Sequence, residues 1–202
     1  MNFLRPIIVF VGILAAWQAI VSGFSIAPFI LPGPLAVFDI AVERADTLAG
    51  HAMVTVSEIL LGLLFGTIMG TVSALVMAYF RSARAWVLPV LVVSQAVPVF
   101  ALAPVLVLWF GYGIVPKVAM ATLIIYFPVT AAFYDGLRRT EPGWIDLART
   151  MGASKAAILR KIRIPAALPA FASGLRVAAA VAPIGAVVGE WVGSSAGLGY
   201  YM

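Results

Sequence analysis

The chain has 202 residues, 63% of them hydrophobic and 10% charged, with a net charge of +5. A soluble domain carries about 45–50% apolar and about 25% charged residues, and a chain of this size still exposes about a third of its surface, so a water-soluble fold is excluded. The chain has no cysteine and a single histidine, His51. That excludes thiol catalysis, disulfides, cysteine-held metal and a multi-histidine metal centre.

The remaining solvent is lipid. A bilayer core about 30 Å thick accepts a helix of roughly 20 apolar residues, and backbone groups inside it must bond internally. The apolar runs are continuous and do not alternate, so the chain is read as an all-α integral membrane protein with about five spans in one domain, 1–202. Residues 7–24 form span 1, with Arg5 before it. The run is long for a signal peptide and lacks a small-residue cleavage pattern, so it is read as retained. Pro28, Pro32 and Pro34 with Gly33 make a loop. Residues 35–49 mix Leu35, Val37 and Phe38 with Asp39, Glu43 and Arg44, which predicts a short amphipathic helix at the membrane surface.

Span 2 covers 53–80. Its Gly62, Gly66 and Gly70 recur every fourth residue and place small residues on one face, predicting close helix packing within the subunit. Span 3, 86–110, is interrupted by Pro89, Pro98 and Pro104. Span 4 covers 115–137, with Pro128 inside. The one long polar stretch, 138–165, follows, and span 5, 166–192, contains Pro183.

Basic residues in short loops mark the cytoplasmic side. With the N-terminus inside, Arg5, Arg81, Arg84, Arg138, Arg139, Arg149, Lys155, Arg160, Lys161 and Arg163 all fall inside, only Arg44 and Lys117 lie on the outer side, and Arg176 sits within span 5. The positive charge is therefore a topology signal. Loop aromatics that could stack bases are few, and nucleic acid is not an expected partner.

Within the polar stretch, Pro142 and Gly143 start a turn. Trp144, Leu147, Ala148 and Met151 then recur at helical spacing, giving a short helix with one apolar face. Gly152 suits a left-handed helix end and Ser154 an N-cap. A second helix carries Lys155, Arg160, Lys161 and Arg163, and Pro165 is expected to end it before span 5. The apolar face lands either on lipid headgroups or on a partner.

The run DLARTMGASKAAILRKIRIP, 146–165, resembles the signature of binding-protein-dependent ABC importer permeases. That signature is E-A-A, three residues, Gly, nine residues, then I-x-L-P. Here it stands as Asp146, Leu147 and Ala148, three residues, Gly152, nine residues, then Ile162, Arg163, Ile164 and Pro165. Asp146, Leu147 and Ile164 are the departures. The segments LPGP (31–34), VPVFALAP (97–104), LWFG (108–111) and GLGY (197–200) resemble the nitrate/sulfonate/taurine branch. Glu58 departs from it, since many members are basic near that position.

The resemblance implies a type I importer permease in the bacterial inner membrane, working as a homodimer embedded in membrane lipid. Its other implied partners are a cytoplasmic ATP-binding subunit and a periplasmic substrate-binding protein. It also implies that Trp144, Asp146, Leu147, Ala148, Arg149, Met151, Gly152, Ile162 and Pro165 form the ATPase-coupling loop. The chain has no G-x-x-x-x-G-K-[ST] phosphate loop, so ATP hydrolysis is assigned to the partner and no cofactor is expected. Members usually carry a further span after the Gly-Leu-Gly segment, so a sixth is expected to be missing here.

Ionisable and polar groups inside spans are costly and mark candidate pathways; these are Glu58, Gln95 and Glu190. The runs SQAVP (94–98), FYDG (133–136) and VAPIGAVVGEW (181–191) resemble permeases for hydroxymethylpyrimidine, a thiamine precursor, against sulfonate, taurine or nitrate. A secondary transporter or channel uncoupled from ATP remains the alternative; a secondary transporter would be expected to show internal repeats, and none is visible.

Overall fold

The computed structural model describes residues 4–202. Two units emerge, 1–50 and 51–202. The first holds α1 (Leu4–Gly23) and α2 (Pro34–Glu43). Helix α1 buries none of its residues; Ile7, Ile8, Phe10 and Ile13 are all about 60% or more exposed, as a helix whose surroundings are acyl chains can be. Helix α2 starts at Pro34, where the missing N–H costs nothing. It ends sooner than the sequence indicates: residues 45–49 belong to the next helix, α3 (Ala45–Tyr79).

In the second unit the chain continues through α4 (Arg81–Ser94), α5 (Val99–Phe110), α6 (Ile114–Arg138), α7 (Pro142–Thr150), α8 (Lys155–Ile158), α9 (Ile164–Gly193) and α10 (Leu198–Tyr201). Four helices are long and apolar enough to cross a membrane: Leu4–Gly23, Ala45–Tyr79, Ile114–Arg138 and the continuous Lys155–Gly193. The expected single third span is instead two helices. Pro98 has no N–H to continue a helix from α4, and it stands as the N-cap of α5. Together α4 and α5 carry the chain back along the bundle. Leu91 packs with Met77 and Tyr134 near one end, and Ala103 and Leu106 pack with Met120 and Val188 near the other.

Helix α6 is the centre of the bundle. Gly62, Gly66 and Gly70 of α3 face Ala121, Ile125 and Val129 of α6 in rising order, so these two helices run parallel. Gly136 of α6 lies on Ala167 and Ala170 of α9, while Gly174, Gly185 and Gly189 of α9 lie on Pro128, Ala121 and Lys117, so α9 runs antiparallel to α6. Small residues on both sides let the backbones approach until dispersion replaces the hydrophobic driving force that lipid does not supply. The glycine stripe thus packs within the subunit, as its spacing indicates.

The expectation that Pro165 ends a helix is overturned. The chain runs through it from Lys155 to Gly193 without a break. Residues Leu159–Arg163 form a π turn, and the Ile164 N–H reaches the Leu159 carbonyl, five residues back. The wider turn relieves the clash that a proline ring makes with the carbonyl four residues before it.

Candidate functional site

The bundle carries polar structure at its two opposite ends. At one end lies the hairpin α7–α8. Helix α7 closes with a Schellman arrangement: the Ala153 N–H bonds the Ala148 carbonyl and the Gly152 N–H bonds the Arg149 carbonyl, both at 2.9 Å. Gly152 has φ +79°, the left-handed region that the closure needs. The next helix begins on Ser154, whose hydroxyl accepts from the Ala157 N–H at 3.2 Å. Two caps thus fix the angle of the hairpin from three adjacent residues. Lys155 donates to the Tyr79 carbonyl and lies 4.6 Å over the Tyr79 ring, tying α8 to the end of α3.

The four apolar residues of α7 do not share one fate. Ala148 is buried and seats the helix, while Trp144, Leu147 and Met151 are 53%, 61% and 78% exposed. They recur at i, i+3 and i+7 and form an outward apolar stripe. Asp146 and Arg149 pair with each other at 3.0 Å, both side chains two-thirds exposed. Ile162 sits in the π turn and Pro165 in the first turn of α9.

At the other end, α3, α6 and α9 bury a cluster of polar side chains. Lys117 Nζ lies 3.0 Å from Glu58 Oε1, with side chains 7% and 0% exposed. Lys117 also donates to the Ala196 carbonyl at 3.4 Å. Thr55 donates to Glu190 Oε1 at 2.6 Å and accepts from the Leu198 N–H at 2.8 Å. Glu190 Oε2 accepts from the Gly199 N–H, and His51 Nδ1 accepts from the Gly197 N–H at 3.0 Å. The His51 ring stacks on Tyr201, with centroids 5.0 Å apart. Most of these bonds serve one object: residues 196–199, the end of the turn after α9 and the start of α10, are held by side chains of α3, α6 and α9. Gly197, at φ +117°, lets the backbone lie directly on the Glu190 carboxylate, where a Cβ would collide with it.

Of the pathway candidates, Glu58 and Glu190 are brought into this cluster and are enclosed, at 0% and 1% exposure. Gln95 is elsewhere: it caps α4 at the break before α5 and is exposed. Lys117, counted in the charge pattern as an outer-side cation within span 4, lies inside α6 and pairs with Glu58. Sequence reasoning missed Thr55, Lys117 and the structural use of His51. A signal for Thr55 existed. The buried face of α3 reads Thr55, Glu58, Gly62, Gly66, Gly70, the glycine stripe continued two turns toward the N-terminus.

Residues 62–202 match the family described as "Binding-protein-dependent transport system inner membrane component". The chain is 55% identical over its whole length to a protein of Haemophilus influenzae named "Probable ABC transporter permease protein", covering 82% of it. It is 38% identical, over 98% of its own length and 79% of the other, to a formylaminopyrimidine transport permease protein of Halalkalibacterium halodurans. It is 35% identical, over 93% of its length and 70% of the other, to a riboflavin transport system permease protein of Chloroflexus aurantiacus.

Proposed function

The chain belongs to the family of binding-protein-dependent transport system inner membrane components and is a permease subunit of an ABC importer for small solutes; from that premise we propose that it moves a formylaminopyrimidine-class heterocycle into the cytoplasm, driven by a separate ATPase. The substrate class rests on the 38% identical relative of that name. In this reading a periplasmic binding protein delivers the solute, two copies of the chain enclose the path, and the N-terminus and the α7–α8 hairpin face the cytoplasm, where the arginines and lysines gather.

One observation carries the coupling role. Trp144, Leu147 and Met151 form an exposed apolar stripe on a helix that is capped at its end and tied to the bundle by Lys155. An apolar anchor on a fixed lever is what a moving partner needs: the anchor supplies affinity, and the rigid caps pass displacement to α9. Asp146 and Arg149 flank the stripe and give it polar edges. Gly152, Ile162 and Pro165 shape the lever, and Ala148 seats it. At the opposite end, Glu58 and Glu190 brace the wall of the pathway through the turn 194–199, and Gln95, exposed at the α4–α5 break, is the pathway residue with access to solute.

The test uses cells expressing the whole transport system. Uptake of labelled formylaminopyrimidine is expected to stop on ATP depletion and to persist with a protonophore while ATP is held. The double variant Trp144→Ala/Leu147→Ala is expected to insert normally, lose co-purification of the ATPase and lose uptake. Uptake that follows the proton gradient, or a double variant that transports normally, overturns the reading.

A further inference from the structure

Six cations converge at the hairpin end of the bundle. Arg81 and Arg84 of α4, Arg138 of α6, Arg149 of α7, Lys155 of α8 and Arg163 of the π turn line one cavity of about 450 Å³. No Asp or Glu lines it. Among the described residues, Arg149 is the one member in an ion pair, with Asp146. Arg138 lies over the Tyr134 ring at 5.7 Å, and the buried Arg163 Nε has no hydrogen-bond partner. Gathered around one chamber without a carboxylate in its wall, these cations give it a positive potential that favours an anion.

The cavity does not stand alone. Arg81 and Arg84 also line a second, open space of about 430 Å³, whose other walls are Ala85, Leu88 and Pro89 of α4. Trp86 and Val90 on the same helix are 79% and 67% exposed, on a face that the apolar composition of the chain assigns to lipid. A basic chamber therefore opens, past two shared arginines, onto a groove with apolar walls along α4. A free phosphate fills the first and leaves the second empty; an acidic peptide has no use for the groove. A molecule with a phosphate at one end and an acyl chain at the other fits both.

We propose that this paired cavity is a binding site for an anionic phospholipid, with the headgroup phosphate among Arg81, Arg84, Arg138 and Arg163 and an acyl chain along Ala85, Leu88 and Pro89. The site is distinct from the outward stripe of α7. Ala153 and Lys155 of the hairpin line the same chamber, so an occupied site braces the hairpin from behind. A guanidinium holds a phosphate by paired N–H donors, which explains the preference for arginine here.

The experiment is native mass spectrometry of the full chain in detergent, titrated with phosphatidylglycerol, with phosphatidylcholine and with inorganic phosphate. It needs no ATPase and no transported solute, so it can fail while the transport reading stands. Phosphatidylglycerol is expected to bind at least about tenfold more tightly than phosphatidylcholine. Arg81→Gln/Arg84→Gln is expected to weaken phosphatidylglycerol by about 25-fold, from about fivefold for each cation near a headgroup. Arg81→Lys/Arg84→Lys is expected to recover part of the loss. Arg139→Gln, an exposed cation outside the cavity, is expected to change little. Equal binding of the two lipids overturns the proposal, as does an equal effect of Arg139→Gln. Phosphate binding as tight as phosphatidylglycerol overturns the lipid in favour of a soluble anion.

Discussion

Thr55 and Glu190 stand 135 residues apart in the chain, and their side chains meet at 2.6 Å inside the bundle. The hydroxyl donates a hydrogen bond to one carboxylate oxygen and accepts one from the Leu198 N–H at 2.8 Å, while the other carboxylate oxygen accepts from the Gly199 N–H. Two helices and a glycine-rich turn are thus closed into one hydrogen-bonded ring, with the turn as the dependent member.

Thr55→Val keeps the shape of the side chain and removes both of these bonds. The loss leaves a buried carboxylate and a half-buried N–H each short of a partner, at a cost of about 1–2 kcal/mol. Thermal unfolding of the purified permease in detergent is expected to move down accordingly, and Thr55→Ser is expected to restore most of it. A Thr55→Val protein as stable as the wild type would show that the turn is held by other means.

The Lys117–Glu58 pair, at 3.0 Å and almost fully enclosed, supports a double-mutant cycle. Lys117→Met alone strands a carboxylate in the bundle and is expected to cost about 3–5 kcal/mol. Lys117→Met with Glu58→Gln removes both charges and is expected to recover most of that loss. The two changes are predicted to be far from additive, because the penalty of the first is the charge left behind, which the second removes.

A Cβ placed on Gly66 would lie 2.6 Å from Ile125 Cγ2. Gly66→Ala is therefore expected to push α3 and α6 apart and destabilise the protein by about 1–3 kcal/mol. Adding Ile125→Ala opens the space and is expected to return part of the stability. Gly12→Ala on α1, where nothing lies within 4 Å, is the matched control and is expected to be nearly neutral.

Gly152 differs from those glycines: nothing crowds it, and its constraint is the backbone, at φ +79°. Gly152→Ala is expected to strain the hairpin by about 1–2 kcal/mol, and Gly152→Asn by less, since Asn enters the left-handed region more readily. Uptake is expected to follow that order, wild type above Asn above Ala, with membrane insertion unchanged in all three. Equal uptake in all three would mean that the hairpin angle is not what couples the ATPase.

Much of this protein is legible one segment at a time. Continuous apolar runs fix the helices, because lipid admits only helices and closed barrels and a barrel strand would alternate. The Gly62–Gly70 stripe announces close packing, and Gly152 with Ser154 announces a hairpin, because caps and left-handed turns depend on the residues at hand. Local rules judge one proline rightly and misjudge another. Pro98 splits a span into α4 and α5, while Pro165, which promises a break, is absorbed by a π turn.

What the sequence could not decide is which distant groups meet. In the sequence Glu58, Lys117 and Glu190 each stand alone, and charge patterning counts Lys117 only as an outer-side cation. Only the parallel run of α3 beside α6, with α9 antiparallel, lays Glu58 on Lys117 and Thr55 on Glu190. The gathering of six cations from five segments around one chamber has the same origin. Helix formation is a property of neighbours in the chain and is written there. A hydrogen bond across 135 residues depends on the register of packed helices, which small residues set through contacts that no single segment contains.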